Sequence, residues 1–131
     1  MSNKNISVLI VDDNPGFVTR MKVLLGEVDC VDSIHSAGDF DEAVWQLDRN
    51  KQDTVLLDIN LPGRSGINLL KKIKEEGSAC NVIMLSNHSE GYYREQCKKL
   101  GAMHFLDKTT EFDLVPSVLT NINLTGTFVL R

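Results

Sequence analysis

Short aliphatic runs and longer stretches of helical spacing alternate along this chain, and few architectures accommodate that alternation. The runs are Ile6–Val11, Val31–His35, Thr54–Leu57, Asn81–Leu85 and Met103–Leu106. Two of them, Val8-Leu9-Ile10-Val11 and Val82-Ile83-Met84-Leu85, are apolar without a break, as in parallel strands buried on both faces. Between the runs lie amphipathic stripes: Phe17, Met21, Leu24, Leu25 and Val28; Phe40, Ala43, Val44 and Leu47; Ile67, Leu70 and Ile73; Tyr93, Cys97 and Leu100; Val115, Val118, Leu119 and Ile122.

Start signals agree with these helices. Asn14 before Pro15 reads as an N-cap followed by proline at the first helical position. Asp39 with Glu42 is a close relative of the capping box. Pro116 would cost about 3 kcal/mol inside a helix, so Asp113 is expected to be the N-cap, placing the proline in the first turn. Trp45 falls off its stripe and is expected at a partly exposed edge.

Five strands alternating with five helices predict one doubly wound α/β domain over residues 1–131, with its core from about 6 to 122. Right-handed crossovers and the strand order 2-1-3-4-5 place the first and third strands side by side at the switch point. Ligands of such sheets bind at the carboxyl ends of the strands.

Composition narrows the function classes. The 131 residues are 42 % hydrophobic and 24 % charged, which suits a globular domain. Fourteen Lys and Arg against 18 Asp and Glu give a net charge of −4, with no basic cluster for nucleic acid or an anionic membrane. No apolar run reaches the length of a membrane span, and Met-Ser-Asn-Lys-Asn does not open a secretory signal. Cys30, Cys80 and Cys97 fit neither a disulfide framework nor a zinc motif. A cytoplasmic location is expected.

The polar residues at the strand ends form one constellation. Strand one ends in Asp12-Asp13, strand three in Asp58 and strand four in Ser86, while Lys108 follows strand five. Taken singly, a strand-end Asp is more often a turn residue, and a lone Ser or Lys means little. Together at four strand ends they point to chemistry. Three clustered carboxylates repel by about 4 kcal/mol per pair at 4 Å and an effective dielectric of 20. Such a site holds protons or a hard cation, and Mg²⁺ suits it. Beside the metal and the Lys108 ammonium, Asp58 can stay ionised and attack phosphorus, giving an aspartyl phosphate. The Ser86 hydroxyl can donate to a phosphoryl oxygen.

Over nearly all of Ile6 to Ile122 these residues resemble a response regulator receiver domain of two-component signalling, a flavodoxin-like fold. Asp12-Asp13 fit its acidic pair. Leu-Leu-Asp58-Ile-Asn-Leu-Pro62-Gly-Arg-Ser-Gly66 is similar to its phosphoacceptor loop, and Ser86, Phe105 and Lys108 fit its hydroxyl, aromatic switch and lysine positions. The resemblance implies phosphotransfer to Asp58 from a histidine kinase or phosphotransfer protein. It implies Mg²⁺ held by Asp13, Asp58 and the Asn60 backbone carbonyl, with Asp12 acting through water. It further implies that Ser86 moves toward the phosphoryl group and Phe105 turns inward, changing the surface of helix four, strand five and helix five. Any catalysis would be limited to the domain's own phosphorylation and dephosphorylation.

Three positions depart from the family pattern. Thr109 follows Lys108 where the family usually has Pro after a cis bond; a cis bond to Thr costs about 2.5–4 kcal/mol. Asn87 replaces a small residue and is expected to narrow access to the phosphoryl site. Phe105 lacks a hydroxyl, so switching would be read through packing. Asn60 and His88 are expected to flank the phosphoryl group and tune water attack on it. Ser86-Asn87-His88 resembles receivers joined to helix-turn-helix outputs. The chain is then either a free-standing receiver or a fragment, and the former is expected because Thr125–Leu130 does not read as a polar linker.

The alternative is an unphosphorylated pseudo-receiver acting as a protein interaction module. Asn87 and Thr109 favour it, and the complete set Asp12, Asp13, Asp58, Ser86 and Lys108 opposes it. An Asp-nucleophile phosphatase would want a second Asp where Asn60 stands. A nucleotide or flavin site would want a phosphate loop in place of Asp-Asp-Asn-Pro-Gly.

Overall fold

Ile6–Val11 (β1) is bonded on one side to Val31–Ala37 (β2) and on the other to Thr54–Leu57 (β3). Asn81–Ser86 (β4) and His104–Asp107 (β5) complete an all-parallel sheet in the order β2-β1-β3-β4-β5, as expected. Helices Pro15–Leu25 (α1), Phe40–Arg49 (α2), Gly66–Glu75 (α3), Gly91–Lys99 (α4) and Val115–Val129 (α5) alternate with the strands. This computed structural model describes residues 5–87 and 91–129, with α5 side chains described as far as Asn123. His88 and Leu130 lie outside the described residues, as do the side chains of 125–129.

The unbroken apolar strands divide by parity between two cores, because successive side chains point to opposite faces. Leu9, Val11, Val55, Leu57, Val82 and Met84 pack with α2, α3 and α4 through Phe40, Ala43, Ile67, Leu70, Ile73 and Cys97. Val8, Ile10, Leu56, Ile83 and Leu85 pack with α1 and α5 through Phe17, Met21, Leu25, Val115 and Leu119. β1 and β3 coincide with their aliphatic runs, whereas β2 continues to Ala37, β4 includes Ser86, and β5 starts at His104.

Caps set the helix starts near the carboxyl ends of the strands. Asn14 Oδ1 accepts from the Phe17 N–H at 3.1 Å, with Pro15 opening α1. Asp39 Oδ1 accepts from the Glu42 N–H at 2.8 Å, and the Glu42 carboxylate accepts from the Gly38 N–H at 2.7 Å. Ser65 caps α3 by accepting from Asn68. The expectation for Asp113 fails. It lies inside a 3-10 turn, Phe112–Leu114, that runs straight into α5, and no side-chain bond caps that turn. Pro116 still falls in the first turn of α5, so the 3-10 turn does what a cap would have done. Trp45 is 56 % exposed with the Arg49 guanidinium over its ring, as expected of an edge residue. Among the described residues, no helix is long and apolar enough to cross a membrane.

Candidate functional site

The register of the sheet assembles the strand ends. Val11 pairs with Leu57, so Asp12 and Asp58 leave β1 and β3 at the same level. The Asp58 N–H donates to the Val11 carbonyl at 3.0 Å and the Asp12 N–H to the Ala37 carbonyl at 3.0 Å, fixing both backbones. On the other flank Ser86 pairs with Asp107, and the Lys108 N–H donates to the Ser86 carbonyl at 3.0 Å.

Carboxylate oxygens of Asp12, Asp13 and Asp58 lie within 4.8 Å of one another. Asp12 and Asp58 are buried and Asp13 is exposed, so the cluster has two fixed walls and one face toward solvent. Lys108 Nζ sits 2.6 Å from Asp12 Oδ2 and 3.3 Å from Asp58 Oδ2. Its position is also set by the Phe17 ring, whose centroid lies 4.5 Å from Nζ. Asp12 Oδ1 accepts from the Asn14 N–H at 2.9 Å.

Burial raises the Asp58 carboxyl above the ordinary carboxylate range; the charge and hydrogen bond of Lys108 oppose this, the Asp12 charge adds to it, and the Asn60 N–H opposes it. One ammonium faces three carboxylates, leaving the cluster short of positive charge. Oxygen-only donors at this spacing suit a hard divalent cation, and Mg²⁺ fits the donor set.

The phosphoacceptor-like loop is held by a close backbone approach. A Cβ at Gly66 would run into the Asp58 carbonyl oxygen, and the Gly66 N–H donates to the Ile59 carbonyl at 2.7 Å. Only glycine lets α3 begin this close to the end of β3.

The remaining expected residues divide. Ser86 is fully buried at the end of β4. Phe105 is half-buried against the α2–α4 core, with the Arg94 guanidinium over its ring. Asn60 is exposed, and its backbone N–H bonds Asp58. Asn87, also exposed, accepts from Thr109 Oγ1 at 3.2 Å across the two loops. No peptide bond among the described residues is cis, that before Thr109 included. The sequence reading did not single out Arg94 or Glu111. Nothing in their spacing announces that the fold joins them, Arg94 Nη2 lying 3.5 Å from Glu111 Oε1.

Residues 8–120 match the family described as the response regulator receiver domain. The chain belongs to that family. It is 33 % identical over 110 residues to the Fimbriae Z protein of Salmonella typhimurium, covering 84 % of this chain and 52 % of that protein. To the transcriptional regulatory protein MalR of Bacillus subtilis it is 32 % identical over 116 residues, 88 % of this chain and 49 % of the relative. The chain thus spans about half the length of these curated relatives. Among solved structures it is similar to the signal receiver domain of a DNA-binding response regulator from Colwellia psychrerythraea, with a TM-score of 0.84 at 22 % identity, covering 90 % and 98 % of the two chains. It is also similar to the BeF3-activated receiver domain of Klebsiella pneumoniae RstA, with a TM-score of 0.80 at 25 % identity and 88 % and 96 % coverage. Receiver domains are the signalling switches of two-component systems, not enzymes of the ordinary kind. They generally bind Mg²⁺ at an acidic pocket and work with histidine kinases or phosphotransfer proteins.

Proposed function

We propose that this receiver is operated by phosphorylation of Asp58, in a Mg²⁺-dependent transfer from the phosphohistidine of a histidine kinase or phosphotransfer protein. The observation that carries this reading is Lys108 Nζ, 2.6 Å from Asp12 and 3.3 Å from Asp58 within the acidic cluster. An Asp58 carboxylate oxygen attacks phosphorus, the P–N bond breaks, and its electron pair leaves with the imidazole. Asp13 and Asp58, the Asn60 carbonyl, and Asp12 through water would hold the metal, which offsets charge on the phosphoryl oxygens. Lys108 exchanges its bond to Asp58 for one to the phosphoryl group, and the Ser86 hydroxyl donates to another oxygen. Asn60, Asn87 and His88 tune hydrolysis of the group. Phe105 transmits the change to the face made by α4, β5 and α5. The work belongs in the cytoplasm, where receiver domains typically act.

Intact mass after incubation with acetyl phosphate and Mg²⁺ tests the reading. The expected result is one phosphoryl adduct, absent with EDTA and absent in Asp58→Asn. A chain that forms no adduct and does not bind beryllofluoride with Mg²⁺ would instead be a pseudo-receiver, an interaction module without the chemistry.

A further inference from the structure

The loop that presents Lys108 continues into Thr109, with no proline to stiffen it, yet it is closely held. Asp107 Oδ1 accepts from the N–H groups of Thr109 at 2.8 Å and Thr110 at 3.0 Å. The Glu111 N–H donates to the Asp107 carbonyl at 2.9 Å, closing the turn. The Glu111 carboxylate reaches back and accepts from the Asp107 N–H at 2.7 Å. Asp107 and Glu111 therefore bond each other in both directions, with Lys108 between them.

This turn is anchored from outside by Arg94 of α4. Arg94 Nη2 lies 3.5 Å from Glu111 Oε1, the atom that takes the Asp107 N–H. Its Nη1 donates to the Phe105 carbonyl at 3.0 Å, and its guanidinium covers the Phe105 ring at 5.0 Å from the centroid. One side chain thus binds the strand before Lys108 and the residue that closes the turn after it. Arginine suits this role because its planar fork offers several donors in fixed directions.

We propose that Glu111, anchored by Arg94, is a positioning residue for Lys108: the pair supplies by hydrogen bonds and charge the restraint on the Lys108 loop that a proline after the lysine would supply covalently. The bonds of Glu111 and Arg94 described above run to the Lys108 loop and its strand, while the acidic cluster is bonded by Lys108 itself. Their effect reaches it through the backbone of Asp107 and Lys108, which continues into the Lys108 N–H bond to Ser86. This inference rests on the phosphorylation reading for its functional half only.

The test uses Glu111→Ala, Glu111→Gln and Arg94→Ala in the full chain, with three readouts: amide exchange of Asp107, Thr109 and Thr110 by NMR, Mg²⁺ affinity by titration, and the rate of adduct formation from acetyl phosphate. Glu111→Ala and Arg94→Ala should speed exchange at these amides and slow phosphorylation by about three- to tenfold, the scale of one charge-assisted bond in a partly exposed pair. Mg²⁺ affinity should not fall, because Lys108 is no metal ligand and its ammonium opposes the cation. Glu111→Gln keeps an acceptor for the Asp107 N–H and should recover part of the rate. Unchanged exchange overturns the restraint itself. Faster exchange with an unchanged rate reduces the pair to a local structural role. A parallel fall in Mg²⁺ affinity means general distortion and also overturns the proposal. A wild-type chain that forms no adduct removes the phosphorylation reading, and the exchange data still decide the restraint.

Discussion

With 10 % of its side chain exposed, Lys108 offers one ammonium to two carboxylates that are more buried still, Asp12 at 2.6 Å and Asp58 at 3.3 Å. Breaking a buried pair by removing one partner leaves an uncompensated charge, and here it would leave two. Lys108→Ala should therefore cost about 2–4 kcal/mol at pH 7 without metal, read by urea unfolding. The cost should be smaller at a pH below the raised Asp58 value, because the protonated Asp58 carboxyl no longer needs the ammonium. An equal loss at both pH values would mean that Lys108 contributes through its stem packed on Phe17 instead of through charge. These residue identities were legible before folding because each ends or follows an aliphatic run. The restraints on them were not. Thr109, bonded to Asn87, and Glu111, bonded to Asp107, are ordinary loop residues until the fold brings their partners within reach. Asn87, expected to crowd the phosphoryl site, has its side-chain oxygen engaged by Thr109.

The start of α3 lies hard against the end of β3. A methyl group at Gly66 would strike the backbone oxygen of Asp58, an atom with no soft way to retreat. Gly66→Ala should cost about 1–3 kcal/mol, as overpacking does, and should weaken Mg²⁺ binding because the Asp58 backbone must shift. Gly63 provides the contrast, with φ of +84° and open space around its missing Cβ. Gly63→Ala should cost about 1–2 kcal/mol, the ordinary penalty for left-handed backbone, and leave metal affinity alone. Paired urea titrations and Mg²⁺ titrations separate the two, and equal metal affinity in both variants would contradict the close-approach argument. Helix and strand periodicity made the elements readable, and the caps at Asn14 and Asp39 are local enough to follow from the chain itself. Asp113 shows where such reading ends. A good capping residue three positions before Pro116 fits the rule, but the chain enters α5 through the turn Phe112–Leu114. The Phe112 ring meets Phe17 of α1 edge-on, a tertiary contact invisible in local sequence.

Across the whole molecule, the acidic cluster makes stability depend jointly on pH and on cation. The Asp58 carboxyl is raised by burial above its value in the unfolded chain, which lies near an ordinary carboxylate of about 4. The folded state therefore prefers the proton. Its contribution to stability is fully present below the unfolded value and is lost as pH rises through the folded one. Asp58→Asn never acquires that charge, so it should raise the Tm at pH 7. Mg²⁺ acts in the opposite sense. It binds the ionised carboxylates of the folded chain only, and at tenfold excess over its Kd it adds about 1.4 kcal/mol. Proton and metal compete for Asp58, so the gain should be full well above the raised value and shrink as pH falls toward it. Asp58→Asn and Asp13→Asn should both diminish it. Thermal unfolding with Mg²⁺ or EDTA at pH 5 and pH 8 makes the comparison. A metal-induced shift of equal size at both pH values, or one untouched by either substitution, would place the cation away from the three carboxylates that the parallel register of β1 and β3 brings together.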